Sequence, residues 1–441
     1  MFKLPHTNVK QIVCGSLAAL LIGASFSGCG VSRPAEVSGE SDDDDSFSLY
    51  GDDLNLNNDT DNTTSDAPKG PFDENSEEIE GKTAEIEKII DNYFYFEQDE
   101  EKREESYFDG IMRGLDDPYS VYYTKEEYEK MQEDDSGSFE GIGATVSKDM
   151  TKGTIYIVKP LEDSPAEKAG LLPEDIIVAV DDLEVTTDME LDYVVDHIRG
   201  EKGTEVTLKI YREGESDFLY IKIKRDKIEN KTVSYEMLDN DIGYIQVEQF
   251  IENTPELYIQ AVDDLQNHGA KGLVIDMRNN PGGLVTSVIK MVDYMIEDGA
   301  KAMGADQPGI LLETRNKDGK VMDQISCSDQ HSVNLPMVVL VNGNSASAAE
   351  IFTGCLRDYG VAKIVGTNTY GKGIVQSVMK LSDGSAIKIT IAKYFIPSGD
   401  DIHKKGVAPD VEVELKDSLK KKVTIEHDED NQLQEALKLF D

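Results

Sequence analysis

The stretch Met337-Val338-Val339-Leu340-Val341-Asn342-Gly343-Asn344-Ser345-Ala346-Ser347-Ala348-Ala349-Glu350 reads as an apolar strand, a short polar loop and the opening of a helix. Ile351, Phe352, Cys355 and Tyr359 continue that helix along one apolar face. Working outward, strands are predicted over 242–247 and 272–277, and helices over 256–266, 284–296 and 348–359. Alternation of this kind argues for an α/β layer structure. An extended hairpin-like run at 384–395 and a short terminal helix at 435–440 complete this half, with no internal repeat of fixed period.

Ser347 sits at the strand-to-helix turn. Lys372 sits in Tyr370-Gly371-Lys372-Gly373-Ile374-Val375-Gln376, where flanking glycines let a side chain project without crowding. A serine hydroxyl is a poor nucleophile until a neighbouring base takes its proton, and no histidine lies near either segment. The pair therefore suggests a serine hydrolase with a lysine base. That lysine must be neutral to work, yet its ordinary pKa is ~10.4. Desolvation lowers this value and nearby carboxylates raise it, so the prediction is an apolar pocket around Lys372 with no acid in contact. Gln376, four residues on, falls on the same side of the chain and can orient the amine without adding charge.

The helix amino terminus and the N–H of Ala348 would face the carbonyl under attack and stabilise its oxyanion. A second donor is expected from the turn Asn280-Pro281-Gly282-Gly283, whose glycines allow close backbone approach. Ser345 competes as nucleophile, but a serine just ahead of a helix suits a capping role. Asp276 and Arg278 either brace that turn or form a plain surface ion pair. The six histidines are scattered, with no His-Glu-x-x-His and no clustered cysteines, so neither a metal nor another cofactor is predicted.

From 83 to about 132 the pattern is helical. Ile86, Ile89, Ile90, Tyr93 and Phe94, then Phe108, Ile111, Met112 and Leu115, recur at three- and four-residue spacing until Asp116-Asp117-Pro118 breaks the run. From 139 to 225 short strand-like runs alternate with two helical patterns. Here Gly141-Ile142-Gly143-Ala144 resembles the carboxylate-binding loop of PDZ domains, and 191–198 resembles the helix that walls their groove. Consecutive N–H groups around small residues can surround a terminal carboxylate while the adjoining strand edge pairs with the incoming peptide. Arg199, just after that helix, is a candidate for carrying peptide occupancy to the catalytic site, or else a solvated charge.

Asp117-Pro118-Tyr119-Ser120-Val121-Tyr122, Asp276-Met277-Arg278-Asn279-Asn280-Pro281-Gly282-Gly283, the Ser347 and Lys372 segments, and Lys405-Gly406-Val407-Ala408-Pro409-Asp410 follow one another in a recognisable order. In this the chain resembles the carboxyl-terminal processing proteases, Ser-Lys endopeptidases carrying a PDZ domain, over roughly 83–415. The resemblance implies a layered, crotonase/Clp-like α/β protease core with an inserted mixed β/α PDZ domain and an N-terminal helical region that can contribute to dimerisation. It implies Ser347, the second serine of its tract, as nucleophile and Lys372 as base with Gln376 following. It also implies an oxyanion hole built from the Ser347 turn, with Ala348, and from either Gly282 or Gly283.

At the amino end, Lys3 and Lys10 precede the apolar stretch 12–26, which is short and small-residue-rich and reads as a signal peptide. It ends in Phe26-Ser27-Gly28-Cys29-Gly30, resembling a bacterial lipobox except at Phe26, where an aliphatic residue is preferred. Cys29 is then the lipidated residue, and the alternative is an ordinary secretory signal; lipidation would anchor the protein without a spanning helix. Between Glu36 and Glu80 a tract dense in Asp and Glu cannot bury enough apolar surface to offset its ordering entropy, and reads as a disordered stalk. The net charge of −43 excludes general nucleic-acid binding. Once Cys14 and Cys29 are set aside, Cys327 and Cys355 are too few for a disulfide framework; Cys355 reads as a buried thiol, and a bridge between the two stays open.

The expected division is a signal peptide over 1–28, an acidic disordered tether over 29–82, a helical region over 83–135, a PDZ domain over 139–225, a Ser-Lys core over 226–415 and a tail with a short helix over 416–441. The expected function is an exported, lipid-anchored serine endopeptidase on the outer face of the bacterial cell membrane. It would bind the C-termini of exported or membrane proteins and cut through an acyl-Ser347 intermediate, with a homodimer left open. The alternatives are a catalytically inactive PDZ peptide-binding lipoprotein and a different enzyme, such as one processing acyl-CoA, on the same scaffold.

Overall fold

The computed structural model describes residues 71–440 apart from 298, 305–307, 329–330 and 423, so the signal segment, Cys29 and most of the acidic tract lie outside the described residues. Helix α1 (Pro71–Tyr93) begins inside the stretch expected to be disordered. Proline is favoured at a first helical position, and the good helix formers Glu, Lys and Ala beyond it carry the run. Helix α2 (Glu100–Arg113) is capped by Asp99, whose carboxylate accepts the Lys102 N–H at 3.0 Å. Strand β1 (Val121–Tyr123) and α3 (Lys125–Asp135) follow, the latter opened by a Thr124/Glu127 capping box.

The PDZ unit comprises β2 (Ser138–Gly141), β3 (Ala144–Lys148), β4 (Ile155–Pro160), α4 (Pro165–Lys168), β5 (Ile176–Val180), β6 (Leu183–Glu184), α5 (Leu191–Ile198), β7 (Glu205–Tyr211), β8 (Leu219–Lys224) and β9 (Asp226–Glu229). Its core is a cluster of its own, with Ile155, Ile157, Val194, Val206, Leu208 and Ile210 fully buried. Strands β2 and β9 pair antiparallel from Ser138↔Glu229 to Gly141↔Asp226, so the chain enters and leaves this unit through one two-stranded stem.

The remaining chain forms β10 (Val233–Met237), β11 (Ile242–Val247), α6 (Thr254–Asn267), β12 (Gly272–Asp276), α7 (Val285–Met295), β13 (Ile310–Arg315), β14 (Val321–Ser326), β15 (Met337–Val341), α8 (Ala348–Asp358), β16 (Ala362–Gly366), β17 (Ile374–Lys380), β18 (Ala386–Phe395), β19 (Val411–Glu412) and α9 (Asn431–Leu437). One sheet runs β10-β11-β12-β15-β16-β19, parallel except for β10. Every residue of β12 and β15 is buried, which is why these strands read as unbroken apolar runs rather than alternating ones. Helices α6, α7 and α8 contribute to the large cluster on one face, and Leu433 and Ala436 of α9 pack with Tyr244, Val274, Val338 and Leu340 on the other. The residues expected to form a tail therefore include a helix that covers one face of the sheet.

A second sheet runs β1-β18-β13-β14, with β17 also paired to β18. Strand β1 joins it by the register Val121↔Lys388, Tyr122↔Ile387 and Tyr123↔Ala386. The N-terminal region is thus built into the core sheet and sets the Asp117–Ser120 turn beside it.

Candidate active site

Two loops leave the carboxyl ends of the neighbouring parallel strands β12 and β15, where α/β sheets place their ligand crevices. The second loop ends at Ser347, the residue before α8, with φ 55° and ψ −118°. A non-glycine residue in that region stores about 1–3 kcal/mol and needs surrounding contacts to hold it. The sharp turn leaves Ser347 half-buried at the strand-to-helix corner. Ala348, as first helical residue, has an amide without an intrahelical acceptor.

The first loop closes over this corner. A Cβ added to Gly282 would stand 2.7 Å from the Ser347 Cβ and 3.0 Å from the Ala348 nitrogen, and one at Gly283 would stand 2.0 Å from the Phe250 carbonyl oxygen. The Gly282 N–H donates to Asn280 Oδ1 at 2.8 Å, so that amide is engaged within its own loop and the residue serves close approach. Asn280 is fully buried, and its Nδ2 donates to the Val247 carbonyl at 2.9 Å.

Ser345 does not cap the helix. It is fully buried, donates to the Met277 carbonyl at 2.7 Å and accepts the Asn342 N–H at 3.0 Å, so it fastens one loop to the other. Asp276 and Arg278 are no surface pair either. Asp276 accepts from Tyr244 at 2.7 Å and from the Arg278 N–H at 2.9 Å, and the Arg278 guanidinium reaches Asp276, Asp430 and Gln432. Their buried network ties the root of the glycine loop to α9.

The residue that joins Ser347 to Lys372 is Glu350. Its Oε2 accepts the N–H of Ser347 at 3.0 Å and of Lys372 at 2.8 Å, while Oε1 accepts the Gly371 N–H at 2.8 Å and the Thr369 hydroxyl. Burial pushes its carboxyl above the ordinary value, against these hydrogen bonds, which favour the charged form. Tyr394, also buried, lies with its hydroxyl 3.1 Å from the Ser347 carbonyl and 2.5 Å from that of Lys372. The Ser347 turn and the Lys372 loop are thus held from both sides. The Ser-x-x-Glu spacing of a capping box was the sequence signal for Glu350; Tyr394 had none.

Lys372 is buried, with Nζ 4.6 Å from the centroid of the Tyr119 ring. Asp117 interacts electrostatically with this lysine. Burial alone would raise the Asp117 carboxyl. Hydrogen bonds from Ser120 Oγ at 2.6 Å, Thr390 Oγ1 at 2.7 Å and the Tyr119 N–H at 3.1 Å, together with the charge of Lys372, hold it below the usual carboxylate range. Gln376 on β17 is buried and donates to Thr390 Oγ1 at 3.3 Å, so it belongs to the same network. Burial and the neighbouring Tyr370 push the Tyr119 phenol up to about 12.

Gly141, Ile142, Gly143 and Ala144 form the β2–β3 turn of the PDZ unit, with the Ile142 side chain in that unit's core. Gly143 needs its positive φ of 73°, and a Cβ there would meet Ser164 at 2.6 Å. Arg199, the residue after α5, donates to Glu133 of α3 at 2.6 Å and lies over Phe139 at 5.2 Å. It occupies the joint between the PDZ unit and the helical region rather than the catalytic crevice. Cys327 and Cys355 are not joined by a disulfide, and the latter is fully buried and donates to the Leu311 carbonyl at 3.1 Å.

Residues 241–413 match peptidase family S41, and residues 156–212 match the PDZ domain family, leaving Gly141 to Ala144 outside the matched segment. The chain is 40% identical over 331 residues to the carboxy-terminal processing protease CtpA of Bacillus subtilis (strain 168), covering 75% of this chain and 68% of that protein. It is 39% identical over 326 residues to a probable CtpA-like serine protease of Staphylococcus haemolyticus (strain JCSC1435), covering 74% of this chain and 63% of that protein, so it spans less than two thirds of that relative. Among solved structures it is similar to the photosystem II D1 C-terminal processing protease. That match has TM-score 0.43 and 30% identity and covers 69% of this chain and 80% of the other.

Proposed function

This chain belongs to the carboxy-terminal processing serine proteases of peptidase family S41, with a PDZ domain, and we propose that it cuts peptide bonds by a Ser347–Lys372 dyad after capturing a protein's C-terminus in that domain. The single observation carrying this reading is the Glu350 carboxylate, which accepts the backbone amides of both Ser347 and Lys372. In the reaction, neutral Lys372 takes the Ser347 hydroxyl proton as Oγ bonds to the substrate carbonyl carbon. The C–N bond then breaks as the leaving amine receives that proton, and water releases the acyl group from Ser347. Ala348 donates to the oxyanion, and the glycine loop that closes over it supplies the second donor from Gly282 or Gly283. Gln376 orients the lysine from β17.

The substrates are the C-termini of exported or membrane proteins. The β2–β3 turn with Gly141, Ile142, Gly143 and Ala144 receives the terminal carboxylate, and Arg199 relays occupancy through Glu133 of α3. An anchor at Cys29 follows from the lipobox-like sequence and puts the enzyme on the outer face of the cell membrane. Self-association through the N-terminal helices is supported by Tyr93, Phe94, Tyr95 and Phe96, all of which are exposed.

Labelling of Ser347 with an activated phosphonate tests the dyad. Labelling is expected to rise with pH as Lys372 loses its proton and to vanish in Ser347→Ala. Undiminished labelling of that variant, or an acidic optimum, overturns the assignment.

A further inference from the structure

Asp117 lies in the turn before β1, outside the elements that carry the Ser347 and Lys372 segments, yet three of its contacts converge on the lysine. Its Oδ2 takes hydrogen bonds from Ser120 and Thr390, Thr390 in turn accepts from Gln376, and the Tyr119 ring two residues on lies beneath the Lys372 amine. Thr390 also donates its backbone N–H to Ser120 Oγ at 3.1 Å, so the turn and β18 are pinned at two points.

We propose that Asp117 is a positioning residue for the lysine base, fixing Gln376 through Thr390 and using its negative charge to set the pH at which Lys372 can accept a proton. This rests on the Ser347–Lys372 reading above. A carboxylate near an ammonium favours the charged amine, so Asp117 shifts the onset of activity upward. The other titratable groups around this cluster are Tyr119 on the same turn, Tyr370 on the lysine's loop, Glu350 on α8 and His403 on the loop packed against Gly373. Burial holds His403 below its ordinary value and pushes the Tyr119 phenol up, so neither accounts for an alkaline limb, which the proposal assigns to the amine.

The test measures the rate of phosphonate labelling of the full chain against pH. Asp117→Asn keeps the shape and removes the charge, and its midpoint should move acidward by roughly one unit. Asp117→Glu restores the charge and should return the midpoint toward wild type. Thr390→Val keeps Asp117 but cuts its line to Gln376, and should lower the plateau rate roughly tenfold without moving the midpoint. An unmoved midpoint in a folded Asp117→Asn, or an unchanged plateau in Thr390→Val, overturns the proposal. If Asp117→Asn does not fold, the Thr390→Val plateau decides alone. Labelling that persists in Ser347→Ala instead sinks the dyad itself, so the two failures are distinguishable.

Discussion

Two buried lysines flank the core sheet in matching surroundings. Lys372 lies 4.6 Å above the Tyr119 ring with Asp117 close by, and Lys388 lies 5.2 Å above the Tyr123 ring with Asp135 close by. The acids differ. Asp117 is held charged by three donors, whereas both Asp135 oxygens are buried with no hydrogen-bond partner among the described residues. Burial pushes Asp135 up to about 7, with Lys388 opposing, while Asp117 stays below the usual carboxylate range. A lysine, a tyrosine and an aspartate do not therefore make a site by themselves. What separates these two is the supply of hydrogen bonds to the acid, and the fastening of the Ser347 turn to the Lys372 backbone through Glu350.

Removing each amine in turn distinguishes the two lysines. Lys372→Met should lower kcat/KM on a fluorogenic peptide by about 10³-fold or more, whereas Lys388→Met should stay within about tenfold of wild type. Equal losses would show that the resemblance is functional.

Stability against pH probes the acids. Asp135 releases its proton near 4 when unfolded and near 7 when folded, so the folded state binds the extra proton between these values and loses that advantage as pH rises through them. Asp135→Asn should accordingly raise unfolding stability by roughly 3 kcal/mol at pH 8 and by almost nothing at pH 4, read from urea midpoints. Asp117→Asn should show the opposite trend, losing stability at neutral pH and not in acid.

Glu350→Gln comes next, since an amide presents an N–H pair to donors that need two acceptor oxygens. A fall of about 100-fold in kcat with little change in KM is expected from steady-state rates. The smallest effect is reserved for Tyr394→Phe, which removes one hydroxyl from between two carbonyls. Thermal unfolding should register about 1 kcal/mol and turnover a change of a few-fold.

The alternation of strand and helix around Ser347 was legible because buried parallel strands are written as runs such as 337–341. The PDZ helix was legible too, its predicted span 191–198 matching α5. The surroundings of Lys372 were not. Asp117 and Tyr119 lie some 250 positions before it and reach it only through the β1–β18 register, which no local periodicity encodes. Asp117-Pro118 follows the end of α2 at Arg113 as a helix breaker should, but the placement of Asp117 beside Thr390 depends on a strand pairing set by the whole sheet. Burial of the Asp276–Arg278 pair likewise depends on α9, a helix that arrives from the far end of the chain.

The paired strands β2 and β9 bring the PDZ unit's two ends together, and the Asn230 N–H meets the Gly137 carbonyl at 2.9 Å. A handful of glycine and serine residues could splice that gap, leaving the catalytic half continuous. The PDZ unit is in this sense portable, an exchangeable cassette seated on one doorway, and a different module could be grafted there without re-routing the backbone of the core.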